Sequence, residues 1–325
     1  MIRSGIALSV LAVAALVAGC GGAQAPTTAQ MSDAKQAVSP SAPTRPLASG
    51  LSATRARGST PVVPVVPIQL YQPLAQYRVY VDRLLARLRR QLRALRAAAT
   101  SSGRGAAEQE WIAAHASWLE IGQDDDAYGA FGRLGEQIDG LASGLPSTTS
   151  NPGFTGFHKV ELDLWREHDR AAAVADTARL IALVAQLTPT AVARDLPPST
   201  LALDGWVLRC HEILEDALRD SLSQNDDYGS NSDLASLAAD VAATREMLAV
   251  LAPLLQVRAP RIVTQGGNDL SAVDATIQAA GGPVAGRSLT AMPPRDRQAI
   301  DEATGTALEV LAPVSELMQV SVPGS

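Results

Sequence analysis

The chain has 325 residues, of which 46% are hydrophobic and 18% are charged, and its formal net charge at pH 7 is −6. The 27 lysines and arginines are outnumbered by 33 aspartates and glutamates, and we find no run of Lys and Arg interleaved with aromatic residues that we expect to be exposed. This composition argues against nucleic-acid binding and is typical of a folded domain.

The N-terminus carries a short apolar segment. Arg3 precedes a run of apolar and small residues from Ile6 to Ala18, and Gly19 and Cys20 follow directly. The run is shorter than the ~20 residues that a spanning helix needs, so it indicates a signal peptide over residues 1–19. The ending resembles the bacterial lipobox, which predicts a lipid on Cys20 and a membrane-anchored protein on the extracytoplasmic face. An ordinary secretory signal with a chance cysteine is the alternative.

Residues 20–74 read as a linker. The segment is rich in Ala, Pro, Ser and Thr, and such a composition buries too little apolar surface to offset the entropy of ordering. We therefore expect a disordered tether, stiffer near Pro61–Pro67. The Val-Pro stretch could instead form a short strand on the domain surface. With Cys20 lipidated, Cys210 has no disulfide partner, so the fold depends on its core.

Residues 75–320 show helical periodicity. Apolar residues recur at spacings of three and four from Tyr77 to Leu95, the pattern of an amphipathic helix. Similar patterns predict further helices over 108–121, 157–187, 201–222, 232–255, 269–280 and 295–318. The second of these could be broken at 167–169, and the fourth starts at an expected N-cap, Ser232. Seven helices of these lengths predict an all-α fold of two packed helical bundles.

The most informative segment is Asn151–Trp165. Pro152 and Gly153 predict a turn that leads into a helix capped near Thr155. His158 and Glu161 then stand three residues apart on one face of its first turn. An imidazole and a carboxylate so placed can share a metal ion, although the same spacing also occurs in ordinary helices.

This segment resembles the motif of the imelysin-like family, Gly-x-His-x-x-Glu, and is most similar to the EfeO and EfeM branch of iron-uptake lipoproteins. The resemblance extends upstream through Trp111–Ile121, Tyr128–Gly132 and Ile138–Asp139. Downstream it includes Glu212–Asp216, Asp226–Tyr228 and Asp233–Leu234. EfeO has a cupredoxin domain where this chain has a tether, so the domain plan is nearer that of EfeM.

The resemblance implies a metal site. In the family the motif's His and Glu are proposed ligands together with acidic residues of neighbouring helices, which correspond here to His158, Glu161, Asp139 and Glu120. The family pattern at Glu120 is displaced by one residue, and a shift of one residue turns a helical side chain by ~100°. His115 of the same helix is therefore an alternative ligand, or else part of the core.

A second acidic histidine segment, His211-Glu212-x-x-Glu215, lacks the second histidine of the zincin motif. We interpret it as helix surface. The acidic runs Asp124–Asp126 and Asn225–Asp227 are interpreted as solvated loops, although either could offer oxygen ligands to a hard cation.

An imidazole with carboxylates and no thiolate suits iron, zinc or manganese better than Cu(I). With the resemblance, iron is the first choice, and the expected function is metal binding in an iron-uptake system, with an iron permease and a peroxidase as partners. A metal-dependent peptidase of the imelysin type and a lipoprotein that binds acidic polysaccharide are the alternatives. A peptidase would need a general base as well as ligands, and Glu161 cannot serve as both.

Overall fold

The computed structural model describes residues 64–101, 103–122, 131–195, 200–284 and 286–320. Within these ranges the chain forms helices and no β-strand, which confirms the all-α class. The eleven α-helices are α1 (Pro67–Ser101), α2 (Arg104–Leu119), α3 (Arg133–Asp139), α4 (Gly156–Trp165), α5 (Arg170–Ala185), α6 (Pro189–Asp195), α7 (Thr200–Arg219), α8 (Asp233–Arg258), α9 (Pro260–Ala279), α10 (Pro294–Leu311) and α11 (Val314–Leu317). The expected signal peptide, Cys20 and Asp124–Asp126 lie outside the described residues.

The long helices form two groups of four around one hydrophobic core. In the first group, α1 packs against α2 and α5, while α4 packs against α5 and α2. In the second, α7 packs on α8, α8 on α9, and α9 on α10. Helix α8 also contacts α1 and α2 and so joins the groups. The largest buried side chains are Trp111, Trp118 and Trp206.

Helix α1 begins at Pro67, within the range that the composition predicts to be a tether. Proline suits the first turn of a helix, where its missing N–H has no intrahelical partner. Leu70 and Leu74 are buried in the core, and Val65 forms an isolated parallel bridge with Val320. Residues 67–74 therefore belong to the helical part of the chain.

The helix expected over 157–187 is two helices, α4 and α5, and the break falls at 166–169 as the sequence indicated. His168 has a positive φ of 55°, which cannot continue a right-handed helix. The side chain of Asp169 then caps α5 by accepting hydrogen bonds from the N–H groups of Ala171 and Ala172.

None of the described helices is by itself long and apolar enough to cross a membrane. Helices α5 and α6 meet that requirement only when they are counted together, and the two are bent by 69°.

Candidate metal centre

Three buried side chains from different helices come together beside the core. They are His115 of α2, Asp139 at the end of α3, and His158 in the first turn of α4, and each is 5% exposed or less. Their candidate ligand atoms all lie within 4.8 Å of one another. Of the residues predicted from sequence, the structure thus joins His158 and Asp139 with the alternative candidate, His115.

The distance from Asp139 to each of the two histidines matches the distance between two ligands of a single ion. Nε2 of His115 lies 3.0 Å from Oδ1 of Asp139, and Nε2 of His158 lies 3.5 Å from the same oxygen. Ligands bound at ~2.0–2.2 Å in tetrahedral or octahedral angles are ~3.0–3.5 Å apart. Two imidazoles and one carboxylate can therefore coordinate one ion and leave other positions open.

Trp111 of α2 holds His115 in place. Trp111, one helical turn earlier, packs on the His115 ring with centroids 4.7 Å apart. The indole N–H of Trp111 donates to the carbonyl of Phe157, at 2.9 Å. This bond ties α2 to the residue that precedes His158. It therefore holds the helix of His115 against the helix of His158.

Glycine at the start of α4 lets Asp139 approach His158. Gly156 has φ of +83°, and a Cβ there would lie 2.1 Å from the carbonyl oxygen of Ile138. Only glycine fits both this backbone conformation and this contact. Thr155 occupies the predicted cap position, but its hydroxyl donates to the carbonyl of Gln137, at 2.8 Å, and makes no cap bond to α4. The start of α4 is therefore fastened to the end of α3.

Glu161 lies beside the three side chains and supports one of them. Its Oε2 is 3.1 Å from Nδ1 of His158, and its Oε1 accepts the backbone N–H groups of Tyr228 and Ser230, both at 3.0 Å. With both oxygens engaged, the carboxylate orients the His158 ring. A ligating histidine commonly donates its other ring N–H to a carboxylate in this way.

The loop that holds Glu161 is itself well bonded. Asp227 accepts the N–H groups of Gly229 and Asn231, at 3.0 and 2.9 Å, and its carbonyl accepts a bond from Arg166. The ring of Tyr228 packs on His158 with centroids 5.3 Å apart, and its hydroxyl accepts the N–H of Ala142. This acidic Tyr-containing turn, which the family resemblance included, thus fixes the motif helix from the second half of the chain.

Glu120 is placed elsewhere. It follows the end of α2 and forms an ion pair with Arg87 of α1. Its side chain is therefore not part of the cluster of His115, Asp139 and His158. The second histidine segment also stays apart, because Glu215 has a side chain that is 61% exposed and lies near His211 on α7. The helix-surface interpretation of that segment agrees with this exposure.

Electrostatics favour an anionic Asp139 and a protonated His158 when no ion is bound. Burial alone would lower the pKa of His158, but Asp139 and Glu161 outweigh it and raise the pKa to about 9. Burial likewise works against the Asp139 anion, yet the two histidines hold its pKa below the ordinary value. Because a ligating imidazole must be neutral, an incoming cation would displace the proton of His158.

A cleft of about 740 Å³ opens onto the centre, and Asp139 and His158 form part of its wall. Two arginines on this wall are already paired, since Arg209 lies 2.8 Å from Asp216 and Arg219 lies 2.7 Å from it. His158 also lines a polar cavity of about 10 Å³, room for about one water molecule. The centre is thus buried but reachable from one side.

Comparison with known families gives one match. The family model for imelysin, classed by its name among peptidases, matches residues 73–313, which include all three converging side chains and Glu161. No curated protein matches the chain.

Proposed function

The chain belongs to the imelysin family, and on that premise we propose that it is a binding protein that captures a metal ion, iron first, outside the cytoplasm. The observation that carries the proposal is the set of two histidines and one aspartate whose candidate ligand atoms lie within 4.8 Å of one another, with Asp139 at 3.0 and 3.5 Å from the two histidines. Such a set with open positions is typical of non-haem Fe(II), while zinc and manganese accept the same ligands. Copper(I) is disfavoured because the set contains no thiolate or thioether.

A binding role also agrees with how Glu161 is used. Hydrolysis at a metal centre needs a base within hydrogen-bond reach of the attacking water. Both oxygens of Glu161 are already engaged, since one accepts two backbone N–H groups and the other contacts His158, so this carboxylate serves to hold His158 in place. The motif therefore supports ion capture more directly than catalysis.

A metal-dependent peptidase is the second candidate, and the open cleft beside the centre favours it because a peptide could reach a bound ion. Asp226 borders both the cleft and the small polar cavity beside His158. Burial raises its pKa, as expected for a carboxyl group that could accept a proton. In this alternative, Asp226→Asn would abolish proteolysis while leaving metal binding intact. Binding of an acidic polysaccharide gains less support, since carboxylates outnumber arginines on the cleft wall.

We place the protein at the outer face of a membrane, held by a lipid on Cys20. The support is the apolar run from Ile6 to Ala18 that ends at this cysteine. An iron permease and a peroxidase are the partners proposed from the family resemblance. Cys20→Ser should abolish incorporation of radiolabelled palmitate, and unchanged incorporation would contradict the anchor without affecting the metal proposal.

The metal proposal is tested on purified protein by elemental analysis and by titration with Fe²⁺, Zn²⁺ and Mn²⁺, alongside a protease assay on unfolded casein. We expect one ion per chain and no metal-dependent cleavage. A chain that binds none of the three ions would overturn the proposal. Cleavage that a chelator abolishes and that Asp226→Asn removes would establish the peptidase instead.

A further inference from the structure

Helix α1 concentrates positive charge in an acidic chain. Its sequence contains seven arginines and one aspartate, Asp82, whereas the whole protein carries a net charge of −6. The buried side of the helix is an apolar stripe that includes Leu84, Leu88 and Leu92. The arginines therefore lie around the remaining surface of the helix.

The outer face of α1 has two chemically distinct halves. In the N-terminal half, Ile68, Tyr71 and Val79 are exposed by 67%, 40% and 59%. Together with exposed Ala75 they follow helical spacings of three and four and so share one face. The same face continues with exposed arginines in the C-terminal half, which are Arg83, Arg90 and Arg93, with Arg96 beside them.

Few acidic groups neutralise this face. Within the described residues, Arg93 and Arg96 have no ion-pair partner, and Arg90 bonds only to a carbonyl of its own helix, that of Ala86. Of the neighbouring helices, α2 pairs Glu108 with its own Arg104. The one acidic residue of α5, Asp176, is buried beside Lys159. Arg90, Arg93 and Arg96 thus present charge that no ion pair among the described residues neutralises.

We propose that the outer face of α1 docks on an anionic lipid surface. Exposed arginines attract phosphate head groups, and apolar side chains on the same face can enter the boundary between head groups and acyl chains. A nucleic acid or an acidic polysaccharide would use the arginines but would give Ile68 and Val79 no role. The combination of both chemistries on one face points to a membrane.

The docking face carries none of the candidate metal ligands, so the proposal does not depend on the metal function. The docking face would add to the expected lipid anchor on Cys20 by orienting the domain, with α1 lying along the membrane surface. The ion pair of Arg87 with Glu120 and the bond of Arg89 to the carbonyl of Leu187 hold two of the arginines to the protein. Arg78 likewise bonds to the carbonyl of Ala193. The test therefore uses Arg90, Arg93 and Arg96, whose side chains bond to no other described helix.

The experiment measures sedimentation with vesicles of 30% phosphatidylglycerol in phosphatidylcholine and with vesicles of phosphatidylcholine alone. The protein is residues 20–325 with Cys20→Ser, so that neither the apolar run at 6–18 nor an acyl chain binds lipid. One variant combines Arg90→Gln, Arg93→Gln and Arg96→Gln, and a second combines Ile68→Ser with Val79→Ser. The control combines Val284→Ser with Arg295→Gln, two exposed positions outside α1.

We expect binding to anionic vesicles only, a loss of about 100-fold in the arginine variant and about tenfold in the serine variant, and no change in the control. Unchanged circular dichroism and unchanged thermal unfolding would show that each variant is folded. Absence of binding to anionic vesicles, or equal loss in the control, would overturn the proposal. Full binding by the serine variant, with capture on DNA or alginate, would assign the face to a soluble polyanion instead.

Discussion

Nδ1 of His158 lies 3.1 Å from Oε2 of Glu161, while Nε2 of the same ring faces Asp139. The carboxylate thereby favours a proton on Nδ1, which leaves Nε2 free to coordinate an ion. Because Glu161 is fastened to the backbone of Tyr228 and Ser230, the orientation of the ring is set by a loop from the other half of the chain. Glu161 thus influences metal binding indirectly, by orienting the ring of His158.

Glu161→Gln should weaken metal binding without abolishing it. Loss of a carboxylate that orients a ligating histidine typically lowers metal affinity by ~10–100-fold, whereas loss of the histidine removes a coordinating atom. Isothermal titration with Zn²⁺ should therefore rank the wild type above Glu161→Gln, and that variant above His158→Ala.

Glu215→Gln is the matched control, since Glu215 also follows a histidine on a helix but is exposed. Its affinity should equal that of the wild type. Loss of all binding in Glu161→Gln, with the fold intact by circular dichroism, would instead make Glu161 a ligand.

His115→Ala should abolish high-affinity binding, and Glu120→Ala should not. His115 provides a buried Nε2 at 3.0 Å from Asp139, while Glu120 contacts Arg87. Removing a partly exposed ion pair of this kind costs about 0–1 kcal/mol of folding stability. Titration with Fe²⁺ under anaerobic conditions, together with urea denaturation, measures both effects. Wild-type affinity in His115→Ala would show that the convergence of the three side chains is not the metal site.

The different positions of His115 and Glu120 show how much of the site can be predicted from the sequence. The motif spacing placed His158 beside Glu161, and the resemblance supplied Asp139, but neither determines which side of α2 faces them. His115 and Glu120 are five residues apart, and at ~100° per residue their side chains point in directions ~140° apart. Contacts between distant segments fix that rotation, among them the bond of Trp111 to the carbonyl of Phe157 and the packing of their rings.

The fold was more accessible because long apolar stripes predict helices reliably. The pattern predicts the stripes of α1, α2 and α8 and the break before α5. It does not predict the short helices α3 and α6, of seven residues each, since two turns hold too few apolar positions to establish a period. It predicts too late a start for α1 because the first turns of this helix contain prolines, which are also typical of a linker.

Gly156→Ala should destabilise the protein and disturb the metal site together. The positive φ and the 2.1 Å approach of a Cβ to Ile138 would force α3 away from α4, and we expect a loss of at least ~2 kcal/mol in the free energy of unfolding. Gly105→Ala is the control, because that glycine lies in α2 with no neighbour within 4 Å of a Cβ. This second change should be neutral or stabilise by up to ~1 kcal/mol. Urea denaturation of both variants makes the comparison, and equal stability would contradict the assigned role of Gly156.

The affinity for metal should rise steeply with pH. In the metal-free protein the pKa of His158 is raised to about 9 from an ordinary value of 6.5, so the ring carries a proton at pH 7 that must leave before Nε2 can coordinate. Binding of one ion then releases about one proton, and the association constant should increase about tenfold per pH unit between pH 6 and 8 and level off near pH 9. The Asp139 carboxyl adds no such dependence in this range because its pKa is lowered.

Competition titrations with Zn²⁺ at fixed ionic strength, repeated in buffers of different ionisation enthalpy, measure the slope and the proton count. The folding stability of the metal-free chain changes with pH in the opposite direction. A raised pKa stabilises the folded state fully below pH 6.5, and this contribution is lost as the pH rises through about 9. Metal-free protein should therefore become easier to unfold over the interval in which metal binding becomes tighter. An affinity that does not change from pH 6 to 8 would mean that His158 is already neutral or is not a ligand.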